Sequence, residues 1–203
     1  ALIACIEEQP ESWGALKAIE MLGDLRAPEA ATTLLQMIKD SPEDFFSKAA
    51  YAALLKIGLP AVPVMIEQLG GVSWAGRFEL LKVLAKLPTQ QSVEAVVGKF
   101  PELYADNPEG SLVIAREFGV KEFLPFLQSE YRPGEWHVGR VIVHLCRINE
   151  MEPDRFKEIE RDVQRGDAFL ERTKRGWDRD NPVWPDAILL ELSCKKCRKK
   201  YQY

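Results

Sequence analysis

Three columns of mostly apolar residues recur along this chain with a period of 31 residues, and they constrain the fold more than any other feature of the sequence. Within each repeat the three positions are four residues apart, so they lie along one face of a helix. A face that recurs in four successive segments predicts four helices that bury equivalent positions. The columns are Ala30, Ala61, Ser92 and Phe123; Leu34, Met65, Val96 and Leu127; and Ile38, Leu69, Phe100 and Tyr131.

An apolar segment precedes each of these helices and predicts a partner helix. The segment Ile57-Gly58-Leu59-Pro60 predicts that one helix ends at the glycine and that the next helix begins at the proline. A fifth pair is predicted from Trp136 to Ile148 and in the densely charged segment after Pro153, where we expect Gly166-Asp167 to bend or restart the helix. The sequence therefore predicts an all-α fold in which about five helical hairpins stack side by side over residues 1–180.

Capping signals predict where two of the partner helices begin. Ser41-Pro42 and Asn107-Pro108 each place a capping side chain before a proline, which is tolerated at the first helical position. We expect helices to begin at Pro42 and Pro108.

Large aromatic residues fall near the predicted starts of the partner helices, at intervals of 29 to 32 residues. A functional interpretation would make them a stacking stripe for a ligand. We expect instead that each ring fills the gap between neighbouring repeats, as large aromatics do in cores. These residues are Trp13, Phe45, Trp74, Tyr104 and Trp136.

Residues 181–203 predict a separate unit, because Asn181-Pro182 ends the helical pattern. Two short strands are predicted to flank Cys194-Lys195-Lys196-Cys197, which resembles the first half of a zinc ribbon. Structural zinc takes four ligands, and Cys194 and Cys197 supply two. Three interpretations stay open: the chain is cut before a second cysteine pair; the hairpin holds no metal; or the pair is redox-active or shared between chains. The expected cofactor is none, or zinc where a second pair completes the ribbon.

The paired helices, the Ile-Gly stop and the segment Ala61-Val62-Pro63-Val64-Met65-Ile66-Glu67-Gln68-Leu69 resemble HEAT repeats, specifically the bacterial phycobilisome-lyase-like type. The resemblance covers roughly residues 11–150. It implies a right-handed α-α superhelix whose second helices line the concave side, and a non-enzymatic scaffold that binds another protein.

The second helices carry mostly acidic and amide side chains, so we expect a protein or peptide partner that is basic. Residues 1–150 hold 14 Lys and Arg against 20 Asp and Glu, which makes nucleic acid an unlikely ligand of the solenoid. The alternative is a nucleic-acid or metal-dependent adaptor that acts through a completed ribbon and its lysines. The candidate binding residues are Glu29, Gln36, Glu67, Gln68, Gln90, Glu94 and Glu122.

No enzymatic motif stands out. HEAT-type deoxyhypusine hydroxylases have repeated His-Glu pairs, and this sequence has no His-Glu dipeptide; His137 and His144 are two helical turns apart.

No apolar run or leader predicts a membrane segment, so the expected location is the cytoplasm. The first residues, Ala1-Leu2-Ile3-Ala4, have the pattern of the middle of a helix, so we expect that this chain is an excised fragment.

Overall fold

The computed structural model describes residues 1–40, 44–70 and 73–180, and these residues form an all-helical protein. The predicted all-α class is confirmed. No strand occurs in those ranges, and the predicted β-hairpin falls in residues 181–203, outside the described residues.

The described helices are α1 (Leu2–Glu8), α2 (Trp13–Asp24), α3 (Ala31–Asp40), α4 (Phe45–Ile57), α5 (Val62–Gln68), α6 (Trp74–Lys86), α7 (Gln90–Asp106), α8 (Pro108–Phe118), α9 (Leu124–Glu130), α10 (Trp136–Ile148) and α11 (Phe156–Asp180). The partner helix that comes first in each predicted hairpin is called a first helix; these are α2, α4, α6, α8 and α10. The second helices, which follow them, are α3, α5, α7, α9 and α11. Short 3-10 helices, Pro28–Ala30, Leu59–Ala61 and Lys121–Phe123, lead into α3, α5 and α9.

None of these helices by itself has both the length and the apolar character needed to cross a membrane. Phe45–Ile57 and Leu59–Gln68 meet that requirement only when taken together, and they are bent by 113° relative to each other.

The residues of the 31-residue columns are all buried, none of them more than 3% exposed. Ala30, Ala61 and Phe123 also share a local structure, because each ends one of the 3-10 helices. Ser92, the polar member of its column, is buried near the start of α7. Its hydroxyl donates to the Thr89 carbonyl oxygen at 2.9 Å, so the buried polar atom is satisfied. The predicted helical face is therefore the core face of the second helices.

The chain divides into two compact units, Ala1–Phe126 and Leu127–Tyr203, a division that the repeat pattern did not predict. In the first unit, successive first helices pack against each other: α2 against α4, α4 against α6, and α6 against α8. Helices α1, α3, α5 and α7 form a similar series. The two sets meet where α3 packs on α4, α5 on α6 and α7 on α8. In the second unit, α10 packs on α11.

Capping side chains begin the first helices of the Ala1–Phe126 unit. The predicted start at Pro108 is confirmed, because Asn107 Oδ1 accepts from the Gly110 N–H at 2.9 Å. Helix α4 begins at Phe45, and the Asp44 carboxylate caps it. The predicted start at Pro42, with Ser41 as its cap, lies outside the described residues.

Glycines fill two different roles at the helix ends. Gly58 and Gly119 have φ of +78° and +67°, which a glycine adopts without strain, and they end α4 and α8 as the stop signal predicts. Gly23 instead lies within α2, where a Cβ atom would be 2.8 Å from Cα of Ala53 in α4. Gly23 thus lets two first helices approach closely.

Helix α11 is continuous from Phe156 to Asp180, so the predicted restart at Gly166-Asp167 is wrong. A Cβ atom at Gly166 would be 2.5 Å from Cγ of Trp136 in α10. The glycine makes room for the indole of Trp136 and does not interrupt the helix.

The predicted gap-filling role of the aromatic series is wrong for its first two members. Trp13 and Phe45 are 79% and 59% exposed, although each is the first residue of a first helix. Tyr104 lies late in the second helix α7, outside the predicted position. Trp74 does pack against a neighbouring helix, because a Cβ atom at Gly110 in α8 would be 2.6 Å from its ring.

Candidate functional site

The seven candidate binding residues all lie in the Ala1–Phe126 unit, on the second helices and the 3-10 helices that lead into them. We call this set the acidic surface. Six of the side chains are exposed and Gln68 is half-buried. Their positions are Glu29 before α3, Gln36 in α3, Glu67 and Gln68 in α5, Gln90 and Glu94 in α7, and Glu122 before α9.

Equivalent repeat positions bring several of these residues onto matching faces. Gln36 and Glu67 are 31 residues apart, and their helices α3 and α5 pack side by side. Gln90 Nε2 donates to Glu94 Oε1 at 2.8 Å, which holds that pair together along α7. Among the described residues, no basic group pairs with Glu29, Glu67 or Glu122. These carboxylates are therefore available to a cation from a partner.

A second candidate site lies between the first helices α4 and α6, where a groove of about 660 Å³ opens. Lys48 and Tyr51 are three residues apart on α4, and Trp74, Phe78 and Lys82 follow at four-residue spacing on α6, so each set shares a helix face. Pockets of this size and mixed lining are typical of small-ligand sites. We call this feature the α4–α6 groove, lined by Lys48, Tyr51, Trp74, Phe78, Glu79 and Lys82.

Some polar groups of the groove have hydrogen-bond partners and others do not. The Lys82 ammonium donates to both carboxylate oxygens of Glu79, at 3.0 and 3.1 Å, and lies 5.6 Å from the centre of the Phe78 ring. The Tyr51 hydroxyl is buried and has no hydrogen-bond partner within the described part of the chain. Burial, and to a lesser degree the charge of Glu79, raises the pKa of Tyr51, so its phenol stays protonated at neutral pH.

The groove was missed by reasoning from the sequence, which treated Trp74 as a core residue. A signal was present: aromatic and lysine residues recur at helical spacing on two successive first helices. That α4 and α6 lie side by side, however, follows from their packing and not from either segment alone.

The predicted zinc half-site, Cys194 and Cys197, lies outside the described residues. Within the described ranges, no group of three His, Cys, Asp or Glu side chains is arranged to hold a metal ion. Cys146 is buried in α10, and burial raises the pKa of its thiol. A thiol of this kind is a poor nucleophile at neutral pH.

Comparisons of the chain with models of known protein families, with curated proteins and with solved structures found no match.

Proposed function

We propose that this chain is a HEAT-like helical-repeat protein, working as a non-enzymatic cytoplasmic scaffold that binds a basic protein segment. Support for the repeat comes from the packing of like helices in the first unit, where α2, α4, α6 and α8 follow one another, as do α1, α3, α5 and α7. By resemblance to HEAT repeats, the arrangement would be a right-handed superhelix with the second helices on its concave side.

The observation that carries the binding proposal is the row of exposed carboxylates on the acidic surface. Glu29, Glu67 and Glu122 have no basic partner among the described residues, and each occupies a different repeat. One exposed ion pair contributes only about 0.2–1 kcal/mol. A basic segment that crosses several repeats would form several such pairs, and charge complementarity of this kind also speeds association.

The test measures binding of the whole chain to immobilised basic, neutral and acidic peptides of equal length. We expect retention of the basic peptides only, and weaker binding as salt rises because exposed charges are screened. The double variant Glu67→Lys with Glu94→Lys should lose most of this binding. The matched control is Glu11→Lys with Glu117→Lys, which makes the same change in net charge at exposed positions away from the acidic surface.

Equal losses in the two double variants would mean that only the overall charge matters. Unchanged binding in Glu67→Lys with Glu94→Lys would remove the acidic surface from the proposal. The alternative function, an adaptor acting through Cys194 and Cys197, would be favoured if the chain bound an oligonucleotide and lost it on changing both cysteines to serine.

A further inference from the structure

We propose that the α4–α6 groove binds a small aromatic carboxylate, with the flat ring on α6 and the carboxylate directed toward α4. The groove lies on the first helices, so this site is separate from the acidic surface on the second helices. The two sites also prefer opposite charges.

The α6 side of the groove offers an aromatic platform. Trp74 and Phe78 stack with their ring centres 6.1 Å apart and an angle of 30° between their planes. The Trp74 indole is also held by its close contact with the backbone of Gly110 in α8. Rings that are fixed before a ligand arrives lose little conformational entropy on binding, so the platform is preorganised for a planar apolar group.

The α4 side offers a hydrogen-bond donor that lacks an acceptor. Tyr51 is only 8% exposed and lines the groove, and no described residue is a partner for its hydroxyl. A buried polar group without a partner is unfavourable, and most such groups in native proteins are satisfied. Because the phenol is protonated, its hydroxyl can donate a hydrogen bond, and a ligand oxygen could accept that bond.

The charges in the groove favour an anion. Glu79 is already paired with both its oxygens to the Lys82 ammonium. Lys48, one turn before Tyr51 on α4, has no acidic partner among the described residues. A carboxylate placed between Lys48 and Tyr51 would form an ion pair with the ammonium and would accept a charge-assisted hydrogen bond from the phenol hydroxyl.

The probe is 2-naphthoate, titrated into the full chain and followed by calorimetry and by backbone amide chemical shifts. A fragment of this size binds with a Kd of roughly millimolar or tighter. We expect the shift changes to centre on residues 48–51 and 74–82. Two further probes separate the contributions: neutral 2-naphthamide should bind several-fold more weakly, and cyclohexanecarboxylate should too, because it lacks the flat ring.

Three variants test the assigned residues. Tyr51→Phe should weaken binding of 2-naphthoate about tenfold, as expected for one hydrogen bond to a charged group. Lys48→Met should weaken it about threefold. Lys86→Met is the matched control, because Lys86 is an exposed lysine of α6 outside the groove, and its Kd should equal that of the unaltered chain.

Several results would overturn the proposal. They are chemical-shift changes centred elsewhere, equal binding of 2-naphthoate and 2-naphthamide, and tighter binding of 2-naphthylmethylammonium, which would make Glu79 the recognising group. An unchanged Kd in Tyr51→Phe, with the variant's thermal melt confirming that it is folded, would also contradict it.

Discussion

The chemistry of Tyr51 departs from that of an ordinary core position, because its buried hydroxyl has no partner among the residues that the structure describes. We predict that Tyr51→Phe leaves the free energy of unfolding unchanged or raises it by up to about 1 kcal/mol, since an unsatisfied buried polar group is removed. Urea denaturation measures this. Ser47→Ala is the control, because the Ser47 hydroxyl donates to the Met37 carbonyl at 2.9 Å and its loss should cost about 1 kcal/mol. Equal destabilisation by both changes would mean that Tyr51 has a partner in solution.

Alkaline pH gives a second prediction for the same residue. Burial and Glu79 raise the pKa of Tyr51 in the folded chain above its unfolded value of about 10. A raised folded pKa contributes stability that is complete below the unfolded pKa and is lost as pH rises through the folded pKa. Between about pH 9 and pH 11, the unaltered chain should therefore lose more stability than Tyr51→Phe. The check is thermal unfolding of both proteins across that range, and parallel curves would contradict the prediction.

Part of that alkaline loss should remain in Tyr51→Phe, because Tyr131 acts in the same direction. Burial raises the pKa of Tyr131, and so does the hydrogen bond that its hydroxyl donates to Asp162 Oδ2 at 2.7 Å. Asp162 also accepts from the Gly134 N–H at 2.9 Å, so the same carboxylate fixes the turn that precedes α10. The difference between the two proteins isolates Tyr51.

At the scale of the helices, Gly23 sets how closely α2 approaches α4. Gly23→Ala would place a Cβ atom 2.8 Å from Cα of Ala53, a backbone atom that only a shift of the helices can move. We expect a loss of about 1–3 kcal/mol in the free energy of unfolding, measured by urea denaturation.

Gly98 supplies the matched control for that change. It lies in the middle of α7, and a Cβ atom there would meet nothing within 4 Å. Gly98→Ala should therefore raise stability by roughly 0.5–1 kcal/mol, because alanine favours helix. A similar effect of both substitutions would exclude close packing of α2 on α4 as the reason for Gly23.

The sequence predicted some of the helix ends correctly and misassigned other glycines. Gly58, Gly119 and Asn107 act through their own backbone neighbours, and these signals predicted the helix ends correctly. Gly23 and Gly166 give the same helix-end signal in the sequence, but each lies inside a helix. Gly23 lies opposite Ala53, and Gly166 lies opposite Trp136. A glycine that makes room for another helix has no local signature, which is why the restart at Gly166 was predicted wrongly.

For the whole molecule, a repeat arrangement predicts that each helix depends mainly on its immediate neighbours. Leu54 is fully buried in α4, so Leu54→Ala should cost about 2–5 kcal/mol. Hydrogen exchange should then accelerate most in α4 and in α2, α3 and α6, which pack on it, and least in α10 and α11. A uniform acceleration across all helices would indicate one cooperative core and would contradict the repeat proposal.

The all-α class and the buried face of the second helices follow from the sequence alone. Spacings of four residues depend only on helix geometry, and repetition every 31 residues identified the buried positions from Ala30 to Tyr131. It also indicated the acidic surface, whose binding role remains a proposal. The packing of the helices brings Tyr51 and Trp74 into one groove and Gly23 against Ala53, and each of these contacts joins helices whose relative placement no local pattern encodes.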